Sequence, residues 1–387
     1  MKIVGVICEY NPFHLGHKKQ FEQIRTALGD DCAIVCLMSG NFVQRGQPAI
    51  FDKALRTEAA LKSGANLVLE LPVQYALSSA EGFAAGGVEI LGRFCDRLCF
   101  GAETGSEASL METARALLSK DFSEKLRLML EEGLSFPAAR QAALENMGLN
   151  SCLLERPNDI LAVEYCKAIL TQGCKMRPLV IQRQGNYHAD MPDAENPSAT
   201  SLRHLIMENE SWLQYVPRDA QPVFENAGIH SMIYGERAIL ARLRTMSDAE
   251  FEALPYGSEG LWRKLMHSSR SCSTLEEVLV QTKSKRYTRS RLDRMVMCAF
   301  LGLTKESLEQ KAPYVRVLGF DERGISALKL ARQSGDFPHI GDRIGHSYEH
   351  MERRCDDLYG LFRAGAPESA GLAGHRRVHM ALCSKAD

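Results

Sequence analysis

The sequence has no uninterrupted apolar run of about 18 residues, the length a helix needs to cross a membrane. It has no Cys-x-x-Cys pair, a common spacing for zinc and dithiol sites. It has no surplus of charge, because 47 Lys and Arg stand against 48 Asp and Glu, a formal net charge of −1. That balance excludes a globally basic nucleic-acid coat, so any such partner needs a local patch. No repeat or low-complexity stretch occurs. The N-terminal MKIVGVICEY carries one lysine and a short apolar run that stops at Glu9, which is not the h-region of a signal peptide. Twelve cysteines are present but scattered. Cys32/Cys36 and Cys95/Cys99 sit inside apolar stretches and read as buried thiols of a reducing compartment, not as disulfides or zinc ligands. A soluble, cytoplasmic protein is expected, with no membrane contact and no obligate protein partner.

What is there is ordinary globular composition, 45% hydrophobic and 25% charged over 387 residues, enough for two or three cored domains. Apolar β-rich runs alternate with helical patterns over the first hundred residues. Strands are predicted at 3–8, 32–38, 67–71 and 97–100. Helices are predicted at 14–28, 52–63 (with Asp52 as N-cap) and 80–91. That alternation predicts βαβ units, a parallel sheet and right-handed crossovers. Helical patterns fill 111–147 and 159–171, and a strand follows at 178–182. The polar stretch 186–200 reads as a loop, after which SLRHLIME resumes a helix. Past residue 218 helical patterns dominate, with one strand-like run, YVRVLGF, at 314–320. The expected division is 1–220, an α/β catalytic unit, and 221–387, mainly helical.

The stretch VGVICEYNPFHLGHKKQF, residues 4–21, carries the chemistry. A predicted strand runs into a turn and then a helix that opens near His14. In open parallel sheets ligands bind beyond the carboxyl ends of the strands. A helix N-terminus there offers free N–H groups and a positive dipole end to phosphates. Gly16 lets a nucleotide approach the backbone. Spacing i, i+3 brings the His14 and His17 imidazoles together on one face, where they would stabilise charge growing on an attacked α-phosphate. Two other readings of the pair stand beside this one. The histidines would merely cap or pack locally, or would join Cys8 in a metal site. The metal reading lacks a carboxylate pair to complete the shell, so no metal ligand is assigned.

His14-Leu-Gly-His17 after a first strand resembles the H-x-G-H signature of the nucleotidyltransferase superfamily, and the later Ser198-Ala-Thr-Ser-Leu-Arg203 is similar to its second phosphate motif. A closer resemblance covers most of the chain. EYNPFHLGH (9–17), MSGNFVQRGQPA (38–49), LELP (69–72), FGAE (100–103), RPNDILAVEY (156–165), YHAD (187–190), SATSLR (198–203), KRYTRSRLDRM (285–295) and APYVRVLGF (312–320) together resemble the bacterial tRNA(Met) cytidine acetate ligase family. This resemblance implies a Rossmann-like (HUP-type) nucleotidyltransferase α/β fold with a mainly helical C-terminal domain. It implies that ATP and acetate form acetyl-adenylate, with Mg²⁺ on the phosphates, and that the acetyl group then passes to N4 of the wobble cytidine of elongator tRNA(Met). By matching position it implies ATP contacts from Ile7, Cys8, Glu9, Tyr10, Asn11, Pro12, Phe13, His14, Leu15, Gly16, His17, Lys18, Lys19 and Gln20, and from Gly101, Asn158 and Arg183. His14, His17 and Arg203 are the implied catalytic groups, Arg203 meeting the β- and γ-phosphates. A small-molecule adenylyltransferase of coenzyme synthesis and a non-catalytic RNA- or nucleotide-binding regulator are the alternatives.

Other residues have weaker claims. Gly40, Asn41, Gln44 and Arg45 would sit in a loop at the same sheet edge as His14, with Arg45 able to grip a phosphate or carboxylate. Lys53 and Arg56 read as a solvated helix face, and Glu103 as a candidate for ribose hydroxyls. The one dense basic segment surrounds Tyr287 with Lys283, Lys285, Arg286, Arg289, Arg291 and Arg294. Basic residues with an aromatic suit an unstacked RNA base and its phosphates. The segment is expected outside the nucleotide unit, as a tRNA contact; the alternative is a late basic motif that acts on ATP itself, as in class I synthetases. The tail past about residue 330 carries no motif, and its Gly-, Ala- and Ser-containing end suggests loose order.

Overall fold

The computed structural model describes residues 1–182, 193, 197–284, 286–333 and 347–370, together with the backbone of 339–340 and 379–380. Arg183, Lys285, YHAD and most of the loop at 186–200 lie outside the described residues.

A seven-stranded sheet forms the framework. Its central strand β1 (Lys2–Cys8) pairs in parallel with β2 (Cys32–Ser39) on one side and with Arg97–Ala102 on the other. β2 pairs in parallel with Leu67–Leu71, and Arg97–Ala102 with Arg177–Gln182. Strand order therefore reverses at β1, and such a reversal opens a crevice at the carboxyl ends of the strands. Side chains of β2 alternate between faces, as strand geometry requires. Ala33, Val35 and Leu37 join a core with Phe83, Val88 and Val163. Cys32, Ile34, Cys36 and Met38 join the opposite core with Phe21, Ile24 and Ala60. Both faces are covered, which explains why these strands read as continuous apolar runs.

Helix α1 (Leu15–Leu28) begins one residue after His14, which is its N-cap. Helix α2 (Lys53–Lys62) is capped as expected, since the Asp52 carboxylate accepts the N–H groups of Ala54 (2.8 Å) and Leu55 (3.0 Å). The helical stretch 111–147 is three helices, Glu107–Leu117, Lys120–Glu131 and Phe136–Glu145, the first two with Ser106 and Ser119 as N-caps. Nine of the described cysteines are buried, and all the described ones are free thiols.

Beyond residue 220 the chain builds a second body. Helices Met232–Thr245, Leu261–Ser271, Leu275–Thr282 and Arg289–Leu301 close around Leu243, Leu265, Val278 and Met297. The chain then returns to the sheet, where Val317–Phe320 lies antiparallel against Leu67–Leu71 and Glu322–Gln333 supplies Ala327 and Leu328 to the sheet core. Residues past 220 thus divide between two bodies. Helix Ser347–Tyr359 adds Cys355 and Tyr359 to the helical core, so this part of the tail is packed structure. No helix among the described residues is long and apolar enough to cross a membrane.

Lys53 and Arg56 correct the expectation of a solvated face, because both are buried. Lys53 Nζ lies 2.8 Å from Glu70 and 2.7 Å from Asp356. Arg316 joins them, reaching Glu70 at 2.8 Å, Asp356 at 3.1 Å and Glu352 at 3.3 Å. Two cations face three carboxylates, and burial pushes the Glu352 carboxyl up to about 7 against the pull of Arg316. Arg56 donates to four carbonyls, of Phe51 (2.9 Å), Glu9 (2.6 Å), Ser39 (3.0 Å) and Gly40. It thereby ties the end of β1 to the end of β2. Burial lowers its pKa from the ordinary arginine value.

Candidate active site

A cavity of about 1000 Å³ opens beyond the carboxyl ends of β1 and Arg97–Ala102, at the reversal of strand order. The turn that enters it is unusual backbone. Tyr10 has φ +46° and Asn11–Pro12 is a cis peptide bond. Tyr10 and Phe13 are buried, packed edge to face with ring centroids 4.8 Å apart, so the turn has an aromatic base. Asn11 fixes it further by accepting the Ile50 N–H at 2.7 Å.

The two histidines build a reciprocal cap. His14 Nδ1 accepts the Gly16 N–H at 3.1 Å, and His17 Nδ1 accepts the His14 N–H at 3.2 Å. A ring nitrogen that accepts cannot carry the proton, so in each neutral ring it sits on Nε2. The rings lie 3.8 Å apart at 30°. His17 lines the cavity, while His14 is buried beneath it. The pair therefore meets as the spacing predicts, but with a division of position. Gly16 also lines the cavity, and a Cβ there would crowd the His14 ring at 3.0 Å.

Of the other expected nucleotide contacts, Ile7, Cys8, Glu9, Tyr10 and Asn11 line the cavity, as do Lys19 and Gln20. Pro12, Phe13, Leu15 and Lys18 do not contribute to its wall. Gly101 and Asn158 line it from the far side. The Asn158 amide donates to Glu103 at 2.8 Å, and Glu103 does not line the cavity. Asp159, which sequence reasoning passed over, is buried and accepts the N–H of Glu103 at 2.7 Å and the Thr104 hydroxyl at 2.6 Å. It holds the loop after FGAE in place; its only signal was its position beside Asn158 in RPND.

Arg203 crosses to the first motif, donating to the Asn11 carbonyl at 2.7 Å and to Thr200 Oγ1 at 3.1 Å. Its helix, Ala199–Met207, starts at Ser198, whose hydroxyl accepts the Ser201 N–H at 3.0 Å. Burial lowers the Arg203 pKa to about 10, with Glu9 opposing and Arg45 adding to the fall. It stays cationic near neutrality. Arg45 and Gln44 line the cavity too, and neither Arg45 nor Arg203 forms an ion pair within 4.0 Å among the described residues. Two neighbouring guanidinium groups, a histidine and a helix N-terminus converge on one region, an arrangement that suits a polyanion.

The basic segment lies elsewhere than expected. Thr288, Arg289, Ser290, Asp293 and Arg294 form a wall of this same cavity, at the start of helix Arg289–Leu301. Gly46, with φ +76°, packs directly on that helix, and a Cβ there would strike the backbone at Asp293 and Arg294. Arg289 pairs with Glu276 (2.6 Å) and Asp293 (2.9 Å). Arg286 and the Tyr287 hydroxyl meet Glu259 at 2.6 and 2.8 Å. Arg291 donates to the Tyr256 carbonyl at 3.0 Å and lies 4.6 Å over the Tyr287 ring. The Lys283 carbonyl accepts from Lys264 at 3.1 Å, and its own side chain is exposed. Of the described candidate RNA contacts, Arg289 and Arg294 reach the cavity, and Lys283, Arg286, Tyr287 and Arg291 do not line it.

A family model described as HIGH Nucleotidyl Transferase matches residues 1–369. The tRNA(Met) cytidine acetate ligase of Clostridium acetobutylicum is 37% identical over 374 residues, covering 91% of this chain and 92% of its own length. The protein of the same name from Thermosipho melanesiensis is 35% identical over 365 residues, covering 89% of this chain and 85% of its own. Among solved structures, apo TmcAL from Thermotoga maritima superposes with a TM-score of 0.87 at 29% identity, covering 99% of this chain and 100% of that one. The same protein bound with alpha-thio ATP superposes equally well, at 30% identity.

Proposed function

The chain belongs to the tRNA(Met) cytidine acetate ligase family of HIGH nucleotidyl transferases, and on that premise we propose that it activates acetate with ATP as acetyl-adenylate and acetylates N4 of the wobble cytidine of elongator tRNA(Met), in the cytoplasm. The observation that carries the proposal is the composition of one cavity. Its sheet side gathers His17, Arg45 and Arg203, and its opposite wall comes from the helical body through Thr288–Arg294.

In the first half-reaction an acetate oxygen attacks the α-phosphate and pyrophosphate leaves. The His17 Nε2–H and the positive dipole end of α1 stabilise the charge that grows on the α-phosphate oxygens. His14 holds the His17 ring in register. Arg203, fixed by Asn11 and Thr200, and Arg45 hold the leaving phosphates. Gly101 leaves room for ribose or base against the sheet. Mg²⁺ enters as part of the MgATP substrate. Among the described residues, no group of three or more His, Cys, Asp and Glu is arranged to hold a metal. In the second half-reaction the cytosine amine attacks the acyl carbon and AMP leaves. The flanking Lys283, Arg286, Tyr287 and Arg291, with Arg289 at the rim, receive the anticodon arm by phosphate contact and stacking. The Arg286–Glu259 pair is exposed, and such a pair exchanges for phosphate at little cost.

The deciding experiment combines the protein with ATP, acetate and transcribed elongator tRNA(Met), followed by nucleoside mass spectrometry. N4-acetylcytidine at the wobble position and acetate-dependent pyrophosphate exchange are expected. Exchange that instead depends on a nucleotide or cofactor acceptor would identify a small-molecule adenylyltransferase, and binding without turnover a regulator.

A further inference from the structure

The exocyclic amine of cytosine is a weak nucleophile because its lone pair is delocalised into the ring. When it attacks an acyl carbon it must lose a proton, so the second half-reaction calls for an acceptor on the RNA side of the cavity. Among the described residues, the carboxylates and imidazoles of the wall are few: Glu9, His17 and Asp293. His17 Nδ1 is engaged by the His14 N–H, and its Nε2 is the donor of the first step. Glu9 accepts the Gln44 N–H at 2.6 Å and sits at the end of β1, on the phosphate side beside Arg203.

Asp293 differs from both. It stands one turn into helix Arg289–Leu301, on the wall that the helical body contributes. Its residue is 9% exposed, yet it borders the cavity. Arg289 Nε donates to Oδ1 at 2.9 Å, and among the described residues no hydrogen bond falls on Oδ2. Arg289 is held in turn by a bidentate contact to Glu276 at 2.8 and 2.6 Å, so the carboxylate is oriented by a supported partner. Gly46 presses on the backbone at Asp293 and fixes the helix start against the loop that carries Gln44 and Arg45. A carboxylate is also the group that accepts from the N4 amine of cytosine and repels the O4 carbonyl of uracil.

We infer that Asp293 accepts the proton of the attacking cytidine amine during acetyl transfer, an assignment that rests on the ligase reading above. The N4 lone pair forms the bond to the acyl carbon. The bond from that carbon to the adenylate oxygen breaks, and its electron pair leaves with AMP. The N4 proton passes to the Asp293 carboxylate and from there to solvent. Burial raises the pKa of this carboxyl against the opposing pull of Arg289, which makes it a better proton acceptor than an exposed aspartate.

Asp293→Asn keeps an oxygen for the Arg289 bond and removes the proton acceptor. Acetate-dependent pyrophosphate exchange and tRNA affinity should stay within about threefold of wild type, while single-turnover acetyl transfer to tRNA should fall roughly 10²–10⁴-fold, the range for a lost general base. Asp293→Glu should recover part of that loss. Transfer at the wild-type rate in Asp293→Asn would overturn the assignment. So would a parallel fall in exchange, which would make Asp293 part of the adenylation machinery. A selective loss of transfer in Glu9→Gln with none in Asp293→Asn would move the role to Glu9. If the wild-type enzyme itself acetylates no tRNA, the ligase reading fails, a result distinct from an active Asp293→Asn enzyme.

Discussion

His17 makes two interactions from one ring, and two substitutions separate them. Nδ1 accepts the His14 N–H at 3.2 Å as part of the helix cap. In this tautomer Nε2 carries the proton, and the ring lines the cavity. Asparagine can present an oxygen near the Nδ1 position but has nothing at Nε2. Glutamine reaches Nε2 with an amide N–H but gives up the cap. A lost cap costs about 1 kcal/mol of stability. A lost donor to developing charge costs about 10²–10³ in rate, or roughly 2.7–4 kcal/mol in the barrier. His17→Asn should therefore melt like the wild type and lose about two to three decades of acetate-dependent pyrophosphate exchange. His17→Gln should lose about 1 kcal/mol in a denaturant titration and retain more exchange than His17→Asn. Paired titrations and exchange assays on the two variants give all four quantities. A folded His17→Asn enzyme with wild-type exchange would refute the phosphate role. A His17→Gln enzyme no faster than His17→Asn would refute the assignment of the donor to Nε2.

Four further outcomes are expected. Propionate should replace acetate with a loss of roughly 10–200-fold in exchange rate, since one methylene is worth only about 1–3 kcal/mol; a longer acid or an amino acid used in preference would contradict the acetate assignment. Arg286→Ala should lower tRNA affinity and flatten its salt dependence by about 0.7 in log–log slope per lost phosphate contact, with exchange unchanged; an unchanged slope in a salt titration would remove Arg286 from the RNA surface. Burial holds the His230 imidazole down at about 4, where its ring stacks 4.1 Å from Tyr359. Between about pH 6.5 and 4 the unfolded chain then binds a proton that the native chain refuses, so stability falls as pH drops through that window. His230→Phe should lack this slope, as the difference between the two stability–pH curves would reveal. Lys53→Met should destabilise by about 3–5 kcal/mol, because it strips a buried cation from Glu70 and Asp356; a denaturation midpoint like the wild type would show that Arg316 alone suffices for the carboxylates.

Local signals carried far in this sequence. The alternation of β2 between two cores, the Asp52 cap and the helix opening at His14 all depend on residues within a few positions of one another. The H-x-G-H and SATSLR motifs converge on one cavity because each sits at an element start, where sequence patterns are most informative. What escaped depends on distant partners. Lys53 has the spacing of a surface lysine, and nothing near it announces Asp356 or Arg316. Arg56 looks charged and solvated until four carbonyls from three segments close around it. The basic run at 283–294 was legible as basic, but its place at the cavity follows from how the helical body docks on the loop at Gly46. The packed helix Ser347–Tyr359 was hidden because its buried Glu352 and Asp356 read as surface residues.

The ion cluster also sets a timetable for synthesis. Lys53 and its Asp356 partner are 303 residues apart, and the strand that flanks Leu67–Leu71 is made only at Val317–Phe320. At about 5–20 residues per second, a ribosome takes roughly 15–60 s to cover that interval. Through it the nascent sheet carries an open edge, and Lys53 and Glu70 remain hydrated. The nucleotide-side fold is therefore a late product of translation, and an N-terminal fragment released early would expose an unpaired strand to aggregation.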